Sequence, residues 1–309
     1  MSDYEYIIIG GGSAGLGAFD ALLSAGFKNI ALFEARNTLM YTNTWMKNIE
    51  VSDTKEGKYF TGSSFREELI KNQELDKKKD KIFTDKRVYN IDQKEKKIHI
   101  RTASGEGEEY TYDNLIVAVG AAQIMYGKYL LPGTRGGRFF TCYQVGEMVE
   151  HYPFKPGNNL IVFGESMYTL ETAILAYKSG ISVKVISPGK LELPKNWPPE
   201  IKVFDEVILK QIHGDTLFEG MLIQYGSGEK CISGDSLAVD GDLVLEHPWR
   251  EHLGVEWDLK NWKLDLSHDE MKNRNLIVVG DAYDPDPNFI KQYNSSFEII
   301  NKLTKEGEI

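Results

Sequence analysis

The sequence predicts an α/β fold of two domains, each a doubly wound parallel sheet with helices on both faces. Three segments, which begin at Tyr6, Leu160 and Leu276, share one pattern: a short β-branched apolar run, a glycine and a helix-like stretch. Continuous apolar runs of this length are typical of parallel strands that are buried on both faces. The alternation of strand and helix around them favours a doubly wound sheet, and 309 residues leave room for two such domains.

Charge and hydropathy argue against several classes of partner. The formal net charge is −10, with 46 acidic against 36 basic side chains. Nucleic acid and anionic membrane surfaces would therefore repel the protein. No apolar stretch reaches the roughly 18 residues that a transmembrane helix needs. We expect no nucleic-acid partner and no membrane span.

Only two cysteines occur, Cys142 and Cys231, and they lie far apart in sequence. They form neither a disulfide framework nor a pair with metal-ligand spacing, and the histidines show no metal spacing either. We therefore expect no metal site. The low cysteine content favours a reduced, cytoplasmic setting.

A glycine-rich turn after the first strand carries the clearest chemical signal. The run GGGSAG, which starts at Gly10, satisfies the pattern G-x-G-x-x-G and opens an apolar helix. Gly10 suits the tight turn, Gly12 lets the backbone approach a pyrophosphate, and Gly15 allows close packing of the helix on the strand. The pyrophosphate is expected on the helix N-terminus, at Ser13 and Ala14, where free N–H groups and the helix dipole favour negative charge.

An acidic residue stands where this motif requires one. The second apolar run, residues 29–33, ends at Glu34 and is followed by Ala35. A carboxylate about 20 residues after the glycines hydrogen-bonds a ribose hydroxyl. Strand, glycines, helix, strand and acid together predict a Rossmann-type site for an ADP-containing dinucleotide, with Glu34 and Ala35 as part of it.

The third apolar run ends in Gly280-Asp281 and precedes a C-terminal helix. With this order of elements the chain resembles the FAD-dependent pyridine nucleotide-disulfide oxidoreductases over almost its whole length, and it is nearest in size to the thioredoxin reductases. The resemblance implies two Rossmann-like domains and a homodimer. The FAD-binding domain is expected to be discontinuous, residues 1–133 and 241–309, with an NAD(P)-type domain, residues 134–240, inserted into it.

The resemblance also implies cofactor contacts by position. In this family the aspartate of the terminal Gly-Asp, here Asp281, bonds the ribityl chain of the flavin. An asparagine at the place of Asn48 lies near the flavin, and a backbone group at the place of Val88 holds the adenine. Gly120 closes an Ala-Val-Gly where the family has Ala-Thr-Gly. Gln292 follows a lysine where the family has Arg-Gln, so it is either a residue near the flavin ring or an ordinary polar helix residue.

The second glycine motif departs from the family. The run that begins at Val162 keeps only the first of three glycines, Gly164. Ser166 and Thr169 stand where close approach of phosphate and helix is required, and Glu165 adds a charge that phosphate avoids. The sequence therefore favours a βαβ unit kept for structure or for another ligand over a working nicotinamide site, and NAD(P)H use is doubtful.

The redox disulfide of the thioredoxin reductases is also missing. Their Cys-x-x-Cys lies just before the second motif, where this chain has only Cys142. Exchange through an internal dithiol is excluded, and Cys142 is either a single reactive thiol or, more commonly, a buried structural cysteine. This stretch also resembles the flavoprotein subunits of hydrogen cyanide synthase and of opine and proline dehydrogenases, which lack the pair too.

Two functional hypotheses follow. The first is an FAD-dependent oxidoreductase that passes electrons through its flavin to an unidentified carrier or substrate, with a ferredoxin-like electron-transfer protein or a small molecule as partner. The alternative is a non-enzymatic FAD-binding protein or the flavoprotein subunit of a larger dehydrogenase. No residue is singled out as catalytic, because the flavin itself carries the electron chemistry.

Overall fold

The computed structural model describes residues 2–53, 57–125, 127–152, 154–245, 247–254, 257–258, 263–264 and 275–305. The helices are α1 (Ser13–Ser24), α2 (Gly62–Asn72), α3 (Cys142–His151), α4 (Met167–Lys178), α5 (His247–Leu253) and α6 (Phe289–Lys305). The strands are β1 (Tyr4–Ile9), β2 (Ile30–Phe33), β3 (Val51–Asp53), β4 (Lys58–Phe60), β5 (Ile82–Phe83), β6 (Lys86–Asp92), β7 (Lys97–Thr102), β8 (Gly107–Val117), β9 (Ala122–Ile124), β10 (Phe139–Thr141), β11 (Asn159–Phe163), β12 (Ser182–Ile186), β13 (Lys202–Phe204), β14 (Ile208–His213), β15 (Gly220–Tyr225), β16 (Gly228–Ser233), β17 (Ser236–Val239), β18 (Asp242–Val244), β19 (Trp257–Asp258), β20 (Lys263–Leu264) and β21 (Leu276–Val278).

The chain divides into two compact units, each assembled from separate stretches of sequence. The first unit consists of Met1–Tyr41, Phe65–Ala122 and Leu243–Ile309, and the second of Thr42–Ser64 and Gln123–Asp242. The stretch 42–64 thus belongs to the second unit, whereas the sequence-based limits placed it in the FAD-binding domain. Those domain limits stay a prediction.

A seven-stranded sheet forms the centre of the first unit. Its strand order is β5-β2-β1-β8-β7-β6, and β21 also pairs with β8. β1 is parallel to both β2 and β8, with Ile8 in register with Leu32 and Ile116. All of β2 and the last four residues of β1 are buried, as expected for strands covered on both faces. The hairpin of β6 and β7 continues the sheet in antiparallel fashion.

The second unit repeats this strand order in a shorter form. Its main sheet, β10-β17-β11-β12-β13, is parallel throughout, and a separate antiparallel sheet contains β14, β15 and β16. β11, β12, β13 and β17 take the places that β1, β2, β5 and β8 have in the first unit, and β10 takes that of β21. The predicted α/β class with two Rossmann-like sheets is therefore confirmed.

Within the described stretches, no helix is both long enough and apolar enough to cross a bilayer. The longest helix, α6, has 17 residues, and lysines occupy its last turn.

Helix α1 packs closely on helix α6 in the first unit. Leu16, Phe19 and Leu22 of α1 are fully buried. Gly17 faces α6, and a Cβ at this position would overlap the backbone carbonyl of Tyr293. The hydroxyl of Tyr293 in turn donates a 2.8 Å hydrogen bond to Asp20 of α1. The glycine is therefore required by the distance between the two helices.

We expect Gly17→Val to destabilise the protein, because the added side chain has to displace backbone rather than a flexible side chain. Overpacking of this kind costs about 1–3 kcal/mol in the free energy of unfolding. Urea unfolding followed by circular dichroism measures the loss. Gly107→Val is the matched control, since a Cβ at Gly107 meets no atom within 4 Å. Equal stability of the two variants would contradict the close packing of α1 on α6.

Candidate functional site

The glycine turn after β1 depends on two close backbone approaches. Gly10 has a φ of +105°, and a Cβ there would overlap the carbonyl of Ala118, just past the end of β8. A Cβ at Gly15 would overlap the carbonyl oxygen of Gly10 itself. Glycine at both positions lets helix α1 begin directly against the ends of β1 and β8.

The N-terminus of α1 is open. Its N-cap residue, Gly12, supplies no side-chain cap, and a Cβ on Gly12 would meet no heavy atom within 4 Å. The backbone N–H groups of Ser13, Ala14 and Gly15 donate to no acceptor in the described part of the chain. Unpaired amides at the positive end of the helix dipole make this a place where an anion binds.

Glu34 follows β2 and holds the glycine turn through its carboxylate. Its Oε2 accepts a hydrogen bond from the backbone N–H of Gly11 (2.6 Å), and its Oε1 accepts one from the N–H of Arg36 (2.7 Å). Burial raises the pKa of Glu34, and these N–H donors offset the rise only in part. The acid that the sequence predicted for a ribose hydroxyl therefore lies beside the first glycines.

A cavity of about 270 Å³ lies along this edge of the sheet in the first unit. Five of the sequence-predicted residues line it together: Gly10, Glu34, Ala35, Val88 and Gly120. Val88 lies on β6, and Gly120, with a φ of +72°, lies shortly after β8. The fold thus brings residues from four separate parts of the sequence to one cavity. Their role in holding a cofactor stays a prediction.

The cavity has further lining that the sequence reading missed: Arg36, Lys86, Arg87 and Trp249. Lys86 and Arg87 directly precede Val88 on β6, so a cavity lined by Val88 is expected to have basic side chains nearby. That signal was available in the sequence. No signal in the sequence pointed to Trp249, because it lies on α5, far along the chain from the other lining residues.

The third apolar segment meets the start of α1. Gly280 has a φ of +70°, and a Cβ there would overlap the side chain of Ala14. The Oδ1 atom of Asp281 accepts hydrogen bonds from the backbone N–H of Asp286 (2.9 Å) and from Nε2 of Gln292 (2.8 Å). Burial raises the pKa of Asp281 to about 7. The largely buried carboxylate of Asp281 thus directly follows Gly280, the glycine that contacts helix α1.

Gln292 is buried in the first turn of α6, where it organises the loop before that helix. Besides Asp281, its Nε2 donates to the backbone carbonyl of Asp284 (3.0 Å). In the structure Gln292 is therefore a partner that orients Asp281. Its predicted place near a flavin ring stays a prediction.

Asn48 lies in the second unit, where Glu171 of α4 holds it. The fully buried Glu171 accepts hydrogen bonds from Nδ2 of Asn48 (2.7 Å) and from the backbone N–H groups of Lys47 (2.7 Å) and Ile49 (2.8 Å). Burial raises the pKa of Glu171, although these donors stabilise its charge. These bonds join residues 47–49 to α4 within the second unit. The predicted role of Asn48 beside a flavin stays a prediction, and Glu171 was missed from the sequence.

In the second glycine motif, the carboxylate of Asp240 accepts hydrogen bonds from the start of α4. Ser166 is the N-cap of α4, and its backbone N–H donates to Oδ2 of Asp240 (2.9 Å). The hydroxyl of Thr169 donates to the same oxygen (3.0 Å). Asp240 was not singled out from the sequence, although it directly follows the buried strand β17.

Neither cysteine is part of a thiol pair. Cys142 is fully buried, and burial raises the pKa of its thiol well above the usual value, so it is a structural cysteine. Cys231 is free and exposed on β16. In the described ranges, no cluster of three or more His, Cys, Asp or Glu side chains is arranged to hold a metal ion.

A family model described as pyridine nucleotide-disulphide oxidoreductase matches residues 4–212, which is more than half of the chain. A comparison with curated proteins finds no match.

Several solved structures share the fold. Bacillithiol disulfide reductase from Bacillus cereus superposes with a TM-score of 0.66 at 18% identity, over 97% of this chain and 99% of that one. Thioredoxin reductase from T. acidophilum gives a TM-score of 0.66 at 16% identity, over 99% of both chains. L-proline dehydrogenase from P. horikoshii gives 0.70 at 18% identity, over 98% of this chain and 55% of that one. At these identities the likeness establishes the fold alone.

The raised pKa of Asp281 predicts a pH dependence of stability. Between the unfolded value near 3.9 and the folded value of about 7, the folded protein keeps a proton that the unfolded chain has released. The contribution of Asp281 to the free energy of unfolding therefore falls as the pH rises through this range and stays low above it.

We expect Asp281→Asn to stabilise the ligand-free protein near pH 8 by up to about 4 kcal/mol, and far less near pH 4. Thermal unfolding of variant and wild type at both pH values measures this difference. Asp76→Asn, a change at an exposed acid in the same unit, is the control. A stability difference that does not depend on pH would show that Asp281 is not the group concerned.

Proposed function

This chain belongs to the pyridine nucleotide-disulphide oxidoreductase family, and we propose that it is an FAD-dependent oxidoreductase whose cofactor binds in the first unit. The observation that carries the proposal is the open N-terminus of α1. Among the described residues, the backbone N–H groups of Ser13, Ala14 and Gly15 have no acceptor, and no heavy atom lies within 4 Å of where a Cβ on the adjacent Gly12 would stand. Such an arrangement is suited to a pyrophosphate, which binds through backbone amides and needs close approach.

The remaining residues of the first unit fit the other parts of FAD. Glu34 would accept a ribose hydroxyl at the cavity edge, and Val88 would hold the adenine through its backbone. The desolvated carboxylate of Asp281 would accept from the hydroxyl groups of the ribityl chain, with Gln292 orienting it. Hydroxyl donors near Asp281 favour its ionised form, which burial alone disfavours. When bound, FAD would supply the electron chemistry.

The electron acceptor in this proposal is not an internal disulfide. The chain has two cysteines, one of them buried with a raised thiol pKa. Electrons would pass to a separate carrier or substrate. A ferredoxin-like electron-transfer protein and a small molecule are the two partner classes that this leaves, and NAD(P)H use remains doubtful because the second glycine motif is altered.

The second candidate function is the flavoprotein subunit of a larger dehydrogenase. The missing thiol pair favours this second candidate. It is also supported by the fold shared with L-proline dehydrogenase from P. horikoshii, because the alignment covers only 55% of that chain. In that case a small molecule such as an amino acid would reduce the flavin. Cytoplasmic location and homodimer assembly complete the proposal; they rest on the low cysteine content and on the family resemblance.

We expect Gly12→Val to weaken FAD binding by about 100-fold or more, because the side chain would occupy the space that the pyrophosphate needs. The fold should tolerate the change, since a Cβ at Gly12 meets no atom within 4 Å and φ is −77°. Flavin fluorescence during titration of the ligand-free protein measures the dissociation constant. Thermal unfolding of the ligand-free protein should be nearly unchanged.

Gly107→Val is the matched control, because it adds the same side chain at another open glycine of the first unit. It should bind FAD like the wild type. The proposal fails if wild-type protein does not bind FAD, or if Gly12→Val binds it unimpaired.

Anaerobic stopped-flow absorbance separates an enzyme from a non-enzymatic FAD-binding protein. Reduced ferredoxin tests whether an electron-transfer protein exchanges electrons with the flavin, and L-proline tests a small-molecule donor. Rapid loss of the oxidised-flavin band with either probe supports an oxidoreductase. Reduction by dithionite alone would favour a flavin that is a structural or sensing ligand.

A further inference from the structure

The glycine turns of the two units can be compared position by position. Each follows the central strand of a parallel sheet and has a positive φ, +105° at Gly10 and +156° at Gly164. Each turn N–H donates to the last residue of the neighbouring strand, from Gly10 to Phe33 (2.8 Å) and from Gly164 to Ile186 (3.0 Å). The two turns are therefore equivalent in backbone structure as well as in strand order.

The same register identifies the counterpart of Asp240. In the first unit the N–H of Ala118 donates to the carbonyl of Ile9 (2.8 Å), and in the second unit the N–H of Asp240 donates to the carbonyl of Phe163 (2.8 Å). Ile9 and Phe163 are the last residues of the equivalent central strands. Asp240 thus stands where the first unit has an alanine.

The carboxylate of Asp240 is satisfied inside the second unit. Oδ2 accepts from the N–H of Ser166 (2.9 Å) and from the hydroxyl of Thr169 (3.0 Å), and Oδ1 accepts from Nε2 of Gln123 (2.9 Å). Asp240 is only 2% exposed. An anion that belongs to the chain itself is therefore bound at the N-terminus of α4.

The two helix N-termini differ in how many amides they leave for a ligand. At α1, the N–H groups of the first three helical residues are unpaired among the described residues. At α4, two of the three equivalent amides are engaged: Tyr168 donates to Oγ of Ser166 (3.1 Å) and Thr169 to the carbonyl of Ser166 (3.1 Å), whereas Met167 has no acceptor among the described residues. The N–H of the N-cap residue, Ser166, donates to Asp240 (2.9 Å). Fewer of the donors that bind pyrophosphate in this fold are thus available at α4 than at α1.

Glu165 adds a second carboxylate beside the same turn. Its Oε1 lies 3.4 Å from Nζ of Lys128, and its Oε2 lies 2.6 Å from where a Cβ on Gly189 would stand. Gly189 belongs to the loop after β12, the counterpart of the place where Glu34 follows β2 in the first unit. The loop therefore faces an acid of its own chain rather than open space. Lys128 offsets one of the two negative charges at this turn, and Asp240 contacts no cation among the described side chains.

We propose that Asp240 is a built-in replacement for the nucleotide phosphate, so that the second unit does not bind NAD(H) or NADP(H). The residues present do not fit the pyrophosphate that the family's second domain implies. A dinucleotide would have to displace a buried carboxylate from its three donors and bring its own negative charges close to that carboxylate. Electrons would then reach a cofactor in the first unit without a nicotinamide nucleotide bound in the second.

Isothermal titration of FAD-saturated protein with NAD+ and with NADP+ tests the proposal without any redox step. Wild-type protein should show no saturable binding with a dissociation constant below about 1 mM. Asp240→Asn and Asp240→Ala, the second of which introduces the residue of the first unit, should bind at least one of the two about tenfold more tightly. Glu229→Gln, which removes an exposed acid on β16, is the charge-matched control and should behave as wild type.

Repeating the titrations in the Gly12→Val background blocks the first site, so that any binding is assigned to the second. Submillimolar binding by wild type overturns the proposal whatever the variants do. A folded Asp240 variant that binds NAD+ and NADP+ no better than Glu229→Gln overturns the assignment to Asp240. Two substitutions of Asp240 are used so that the test still stands if one of them fails to fold. Failure of the wild-type protein to bind FAD would instead contradict the proposed function. That outcome is measured by the flavin fluorescence titration, not by the titrations with NAD+ and NADP+.

Discussion

Close contact between the carbonyl of Gly10 and the first turn of α1 fixes where this helix begins in the first unit. A single Cβ at Gly15 would overlap that carbonyl, and one at Gly10 would overlap the carbonyl of Ala118. Without these two glycines the helix could not begin at the ends of β1 and β8, and its amides would not face the space beyond them. Gly280 extends the same arrangement, because it brings the third segment against Ala14.

The two units show that one backbone arrangement can have two electrostatic outcomes. A helix that begins at the end of a parallel sheet presents N–H donors and a positive dipole end, and this favours an anion nearby. In the first unit no described residue supplies an anion to the amides of Ser13, Ala14 and Gly15, whereas in the second unit Asp240 accepts from the N-cap amide of Ser166. The second unit has an aspartate where the first has an alanine at the end of one strand, and hydroxyls at Ser166 and Thr169 where the first unit has glycines. Similarity of fold therefore does not carry over to ligand binding.

The features that the sequence predicted correctly all arise from short-range patterns. The apolar runs and the glycine spacing predicted both Rossmann-like sheets. The cofactor role of Glu34, which lies beside the glycine turn, stays a prediction. Asp240 and Glu171 escaped prediction because their partners lie 74 and more than 120 residues away. No local pattern marks a buried carboxylate whose donors come from another part of the chain.

The bonds of Glu171 have a consequence for how the chain folds. Residues 47–49 are synthesised long before α4, and until α4 forms, their N–H groups lack the acceptor that they have in the native state. Conversely, α4 without this stretch would bury an ionisable carboxyl with no donors, which is costly. The native environment of Glu171 therefore forms only when the stretch 42–64 reaches α4 across a large sequence separation. Such long-range closure slows folding. A fragment cut at the limits of the inserted segment would lack the backbone donors that Glu171 has in the native state.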